Sequence, residues 1–193
     1  FDQMELLGAT LDDAAGEAFD KVAKILGLGY PGGPLVERLA KKGNAKIKFK
    51  CSDTPEPLDF SFSGIKTAVL YYVRQLTSSP VNQLQNRQTG KLADRQTNDI
   101  AASFQETVID TLVKKSFLAC RVKKIKRLVI GGGVAANKRL RFKFYQQAKD
   151  EGLNIYFPSK ELCMDNAAMV AGLGYRLFRK GHFSDLTLST NSD

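Results

Sequence analysis

The stretch LVIGGGVAANKRLR, residues 128–141, constrains this chain more than any other. Three consecutive glycines stand between the apolar run Leu128-Val129-Ile130 and a basic segment. Glycine loses more backbone freedom on folding than any other residue. Three in a row at a strand end therefore imply an unusual turn or the close approach of a ligand. The pattern predicts a buried strand, a glycine loop and a helix. In α/β folds, ligands bind beyond the carboxyl ends of strands, where helix N-termini direct free N–H groups. The loop is neither a Walker A sequence, which needs Gly-Lys-Ser/Thr, nor a G-x-G-x-x-G turn. Gly131, Gly132 and Gly133 would let an adenine or ribose lie flat against the backbone, and Asn137 would offer it a donor and an acceptor. A structural turn with Asn137 near a helix cap is the other reading of the same residues.

The flanks extend the pattern. An amphipathic helix is expected over about 99–120, with Ile100, Phe104, Val108, Leu112 and Phe117 inward. A strand at 127–130, a helix at about 136–151, a strand at 154–157 and a helix from near Asp165 to before Gly181 follow. This alternation is that of an α/β layer fold. In the first half, residues 4–10 read as a short strand and turn, and Asp12 to Leu26 as a helix with a broad face of alanines, Phe19, Val22, Ile25 and Leu26. After the LGYPGG turn, a second helix is expected over Pro34–Lys41. Residues 45–51, AKIKFKC, alternate and read as a strand. FSFSG then introduces a helix with Ile65, Ala68, Val69, Tyr72, Val73 and Leu76 inward. Residues 77–97 are polar and poorly periodic, and are expected to be a mobile insertion.

Size and charge narrow the function. A chain of 193 residues with 43% hydrophobic and 25% charged residues suits one globular domain. No apolar run approaches the roughly 18 residues that span a bilayer, so no membrane partner is expected. Lys and Arg number 29 against 20 Asp and Glu, a net charge of +9, with basic residues concentrated in 41–50, 121–127 and 137–143. Such an excess suits a polyanionic partner, nucleic acid before membrane, or else a solvated basic surface on an ordinary enzyme. Cys51, Cys120 and Cys163 are widely spaced without a CxxC pair, which suits buried thiols in a reducing cytoplasm. His182 is the one histidine, so no histidine-rich metal site can be built from this chain alone.

Several carboxylates allow two readings each. Asp165 precedes a helix of small and apolar residues, where it is either an N-cap or a metal-ligating or phosphate-site acid. On the first helix, Glu17 with Lys21 and Asp20 with Lys24 are i,i+4 pairs that suit a solvated, salt-bridged face. In GYPGGPLVE, Gly32 and Gly33 suit a tight turn, and Glu37 a surface helix.

Five long motifs occur in one order: LDDAAGEAFDKVAKILGLGYPGGP, LDFSFSGIKTAV, IAASFQETVIDTLVKK, LVIGGGVAANKRLR and CMDNAAMVAGLGY. Together they resemble the tRNA N6-adenosine threonylcarbamoyltransferases, formerly called O-sialoglycoprotein endopeptidases or glycoproteases. The resemblance covers nearly the whole chain except 77–97. It implies an actin-like ATPase fold (sugar kinase, Hsp70 and actin, ribonuclease H-like) of two α/β lobes, with 1–193 expected to be a single domain, the C-terminal lobe with helical insertions. It implies transfer of a threonylcarbamoyl group from its adenylate to N6 of the adenosine beside the anticodon of tRNA. Asp20 and Gly33 fall on nucleotide-contacting positions, Glu37 on a ribose-binding position, and Asn137 and the glycines at the adenosine site. Asp165 falls on the carboxylate ligand of a divalent metal, iron or zinc. The family's phosphate loop and His-x-x-x-His pair belong to an N-terminal lobe that this sequence lacks. The chain alone is therefore expected to hold metal and nucleotide weakly and not to catalyse. The implied partners are tRNA, threonylcarbamoyl-AMP and, in bacteria, a paralogous actin-like protein and a small P-loop ATPase. A cytoplasmic location is expected. A metalloendopeptidase, as the older name has it, and a non-catalytic scaffold of the same pathway are the alternatives.

Overall fold

The computed structural model describes residues 4–78 and 94–185. Among these, helices α1 (Ala15–Ile25), α2 (Gly32–Ala40), α3 (Ser63–Ser78) and α4 (Asp94–Lys123) precede strand β1 (Arg127–Val129). Helix α5 (Lys138–Glu151), strand β2 (Asn154–Tyr156) and helix α6 (Ala167–Arg179) complete the order, with 3-10 turns at Gly133–Ala136 and Lys160–Leu162. The architecture is α/β, mostly helical with a small parallel sheet.

Helix α4 is the spine. At 1.5 Å per residue its 30 residues run about 45 Å, enough to serve two cores. Its first half packs Ile100, Phe104 and Val108 against Phe19 and Val22 of α1, Val36 of α2, and Ile65 and Val69 of α3. The Phe19 and Phe104 rings meet edge-on at 5.0 Å, a favoured aromatic geometry. Its second half packs Ile109, Val113 and Phe117 against Leu140, Phe144 and Ala148 of α5, with Leu128, Ile130 and Ile155 of the sheet region beside them. β1 and β2 pair in parallel, Leu128 opposite Ile155, with α5 as their crossover.

The helix ends follow local chemistry. Gly27, at φ 71°, closes α1 in a left-handed turn: Leu28 N donates to Ala23 O and Gly27 N to Lys24 O, the double bond of a Schellman cap. Glu17 accepts from Ala14 N at the other end. Helix α1 starts at Ala15 rather than Asp12, because the Asp12 carboxylate serves a different helix. It accepts from Phe62 N at 2.7 Å, Ser63 N at 3.1 Å and the hydroxyls of Ser61 and Ser63, capping α3 from 50 residues away. Desolvation pushes this carboxyl up, but the four hydrogen bonds outweigh it and hold Asp12 well below the usual carboxylate range.

Two expected strands do not form. Residues 4–9 have no regular structure, and only Thr10 makes a single parallel bridge, to Phe60. Residues 45–51 keep the expected alternation, with Ile47 and Phe49 half-buried, Cys51 buried and the lysines exposed. Their amides are spent locally, however: Lys46 N donates to Asn44 O, Phe49 N to Ile47 O, and Ile47 N to Ser103 Oγ. A strand needs a ladder partner for those donors, and none lies beside it among the described residues. The expected insertion at 77–97 also contracts. Thr77 and Ser78 end α3, Asp94 to Thr97 begin α4, and 79–93 lie outside the described residues.

Helix α6 differs from the rest. No residue of it is buried, and Val170 is 70% and Phe178 65% exposed. No helix among the described residues is long and apolar enough to cross a membrane. Cys51, Cys120 and Cys163 are free and buried, and burial pushes the Cys51 and Cys120 thiols up.

Candidate functional site

At the end of β1 the chain passes through the three glycines into the 3-10 turn and α5. Gly132 has φ 88°, a conformation that disfavours any side chain. Gly131 and Gly132 have open space where a Cβ would stand, and a Cβ on Gly133 would come no closer than 4.0 Å to Met164 Cγ. The result is a shelf of bare backbone. Gly33, in the first turn of α2, also faces open space. Its neighbour Gly32 does not: a Cβ there would meet Asp20 Cα at 2.6 Å and Phe19 O at 2.8 Å. Gly32 is required by the close packing of α2 on α1, and Gly33 is not.

The other expected site residues are partly committed to the fold. Asn137 is the N-cap of α5: its Oδ1 accepts from Arg139 N at 2.9 Å and Leu140 N at 3.0 Å. Its Nδ2 donates to Gln105 Oε1 at 2.8 Å. Asn137 is only 7% exposed, and one Nδ2 hydrogen remains for a ligand. Asp20 accepts from Gly32 N at 2.7 Å, so it caps α2 and does not form the expected pair with Lys24. Lys21 does bridge to Glu17, at 2.7 Å, and also to Asp13, at 2.6 Å. Glu37 accepts from Lys138 N and from Lys41 Nζ, each at 3.2 Å. That bond ties α2, which carries Gly33 and is capped by Asp20, to the start of α5, five residues after the last glycine of the shelf.

Asp165 sits on the turn whose Met164 lies beside Gly133. It does not cap α6, because Asn166 does: its Oδ1 accepts from Met169 N at 3.0 Å. Asp165 is exposed, and the described residues contain no group of three or more His, Cys, Asp or Glu able to hold a metal ion. A divalent metal of the iron or zinc type asks for three or four such donors. The described residues supply one carboxylate here, so they do not by themselves fit the metal, and no chemical step is assigned to it.

Three residues that sequence reasoning missed hold the region in shape. Gln105, buried on α4, is the partner of Asn137. Arg141 donates to Ala135 O and Pro158 O at 2.7 Å each and to Cys163 Sγ at 3.2 Å, tying the turn after the glycines to the segment leading to Asp165. Glu106 receives Arg139 through two bonds, at 3.0 and 2.7 Å, and pairs with Lys143 as well. Hydrogen bonding to Arg139 holds the Glu106 carboxyl below its usual range against the opposing effect of burial, and the carboxylate in turn raises Arg139. Spacing along the chain carries no sign of these contacts, since each joins different elements. In the basic stretch 137–143, Arg139, Arg141 and Lys143 are therefore structural rather than a free polyanion surface.

The family model described as tRNA N6-adenosine threonylcarbamoyltransferase matches residues 2–172. Relatives named tRNA N6-adenosine threonylcarbamoyltransferase from Dictyoglomus turgidum and Thermodesulfovibrio yellowstonii are each 49% identical, over 98% and 96% of this chain. Both alignments cover 53% of the relative, so the chain spans about half the length of the curated relatives it matches. Among solved structures, T. kodakarensis HypF superposes with a TM-score of 0.60 at 21% identity, over 87% of this chain and 20% of that one. That likeness speaks to fold alone. Matched over nearly its whole length, the chain belongs to the tRNA N6-adenosine threonylcarbamoyltransferase family.

Proposed function

We propose that this chain is the adenylate-binding part of a tRNA N6-adenosine threonylcarbamoyltransferase, and that it forms one lobe of an actin-like, two-lobed enzyme. In the reaction, the N6 amine of a tRNA adenosine attacks the carbonyl carbon of threonylcarbamoyl-AMP. A nitrogen–carbon bond forms, the carbon–oxygen bond to phosphate breaks, the amine loses a proton and AMP leaves. The observation that carries the reading is the uncovered shelf Gly131-Gly132-Gly133 with Gly33 also open. The flat face of an adenosine would lie on this shelf, with Asn137 Nδ2 as donor to the base and Glu37 and Asp20 near the ribose. Binding energy gathered there, remote from the reacting carbonyl, would serve to position it.

Asp165 is proposed as one ligand of a divalent metal whose other ligands lie outside this chain, and catalysis then needs the part of the relatives' length that the chain does not span. A paralogous protein and a small P-loop ATPase are proposed as further partners in bacteria.

The test uses Gly131→Val. Gly131 does not need a positive φ and has nothing within 4 Å of a Cβ position, so the substitution fills the shelf without straining the fold. Calorimetric titration with AMP and with a non-hydrolysable threonylcarbamoyl-adenylate analogue is expected to show at least a tenfold loss of affinity at unchanged melting temperature, because valine occupies the volume the adenine needs. Equal affinity in both proteins would remove the shelf from the site. No nucleotide binding by either, with RNA binding retained, would favour a scaffold role.

A further inference from the structure

Of the three basic stretches, 137–143 spends Arg139, Arg141 and Lys143 on internal contacts and leaves Lys138 without an ion pair among the described residues. In 121–127, Arg121 pairs with Glu151 and Lys123 with Glu5, which leaves Lys124, Lys126 and Arg127. These sit at the N-terminal end of β1, away from the strand end that leads into the glycine shelf, and α/β sheets bind ligands at the carboxyl ends of their strands. The stretch 41–50 is different. Lys41 pairs with Glu37 and Lys50 with Asp53, while Lys42, Lys46 and Lys48 are exposed and make no ion pair among the described residues.

The backbone that carries them is held firmly. Gly43 passes so close to α4 that a Cβ would stand 2.0 Å from Asn98 O. Asn44 N donates to Asp99 Oδ1 at 2.7 Å, and Ile47 N to Ser103 Oγ at 3.0 Å. Ser103 is itself buried and donates to Asp99 O. Below the lysines, the Phe49 ring meets Tyr72 of α3 edge-on at 5.8 Å, and Cys51 is buried. The segment is thus an irregular rail of chain fastened to α3 and α4, with its cations outward. It continues directly from α2, which carries Gly33 and Glu37, and it is pinned at Ser103, two residues from the Gln105 that holds Asn137. Along α2 the rail begins about 14 Å from the site's first turn.

We propose that Lys42, Lys46 and Lys48 form the surface that receives the phosphodiester backbone of the RNA whose adenosine is modified. This rests on reading the chain as part of a tRNA-modifying enzyme, and it assigns a surface to that substrate. Ammonium groups on a fixed backbone neutralise phosphates and release counterions while the chain itself loses little entropy. Such contacts set register and orientation rather than sequence preference. The competing explanation is that the lysines merely keep an exposed segment soluble.

The test is fluorescence anisotropy with a labelled, unmodified anticodon stem-loop RNA, titrated with this chain across a range of KCl concentrations. Lys42→Gln/Lys46→Gln/Lys48→Gln is expected to bind about tenfold more weakly near 0.1 M salt, with the log–log salt slope shallower by about 2. The matching control, Lys124→Gln/Lys126→Gln/Arg127→Gln, removes the same charge and is expected to change affinity less than about threefold, and arginine at 42, 46 and 48 to retain binding. Equal losses in the two glutamine triples would mean non-specific attraction and overturn the proposal. So would an unaffected rail triple, or a wild-type chain that does not bind the RNA. AMP titration separates this proposal from the reading beneath it. The rail triple should keep nucleotide affinity, and Gly131→Val should lose nucleotide while keeping RNA.

Discussion

Asp12, expected as the first residue of a helix running to Leu26, gives its side chain to a different helix. Its sequence position suggests the start of α1, yet its carboxylate caps α3 with four hydrogen bonds. Asp12→Ala should cost about 1–2 kcal/mol at pH 7, in the upper range for an N-cap, as read by urea denaturation. The sign of its pH dependence follows from the direction of its shift. The folded pKa lies below the ordinary value of 3.8, so the stabilisation is fully present above that value and is lost as pH falls towards the folded one. The difference between wild type and Asp12→Ala should therefore be constant from pH 7 to pH 5 and shrink below about pH 4. A difference that stays constant into acid would deny the carboxylate its charged role.

At the scale of elements, the glycine shelf is as well defined as the seam between α4 and α5 beneath it. Asn137 joins the two through Gln105, and Arg139 and Lys143 join them again through Glu106. Asn137→Ala should cost about 1 kcal/mol for the lost cap, and more for the buried Gln105 oxygen left without its donor. Gln105→Ala orphans the other end of the same bond. A double-mutant cycle should give a coupling of about 1 kcal/mol, and additive single costs would show that the bond contributes nothing of its own. For this reason Asn137→Ala is a poor probe of nucleotide binding: it loosens α5 and the site together, whereas Gly131→Val alters the shelf alone.

At the scale of the molecule, stability is expected to be uneven. Residues 100–117 of α4 contribute to both cores, whereas α6 buries nothing and is 13 residues long, a length at which an unsupported helix is marginal in water. Hydrogen exchange should find the amides of α4 protected to the level of global unfolding and those of 167–179 exchanging through local opening. Val170→Asp should change unfolding free energy by less than about 0.5 kcal/mol, against about 3–5 kcal/mol for Phe104→Ala in the core. Protected α6 amides would instead mean that another surface covers this helix in solution.

Local physics was legible in the chain itself. Apolar spacing announced α1, α3, α4 and α5, β1 and β2 were expected within a residue or two, and three glycines after an apolar run marked the open shelf. Motif order named the family. Periodicity failed at 45–51, where an alternating segment reads as a strand whether or not a partner exists, and only the packed chain shows its amides turned to Ser103 and to its own carbonyls. Likewise, charge could be counted in the sequence but not assigned. Whether Arg141 or Lys48 faces solvent depends on which carbonyls and carboxylates folding brings beside it, and those come from elements far apart along the chain. The sequence by itself determined which segments bury a face. Tertiary structure decided which polar groups were left free, because hydrogen bonds and ion pairs form with neighbours in space rather than in sequence.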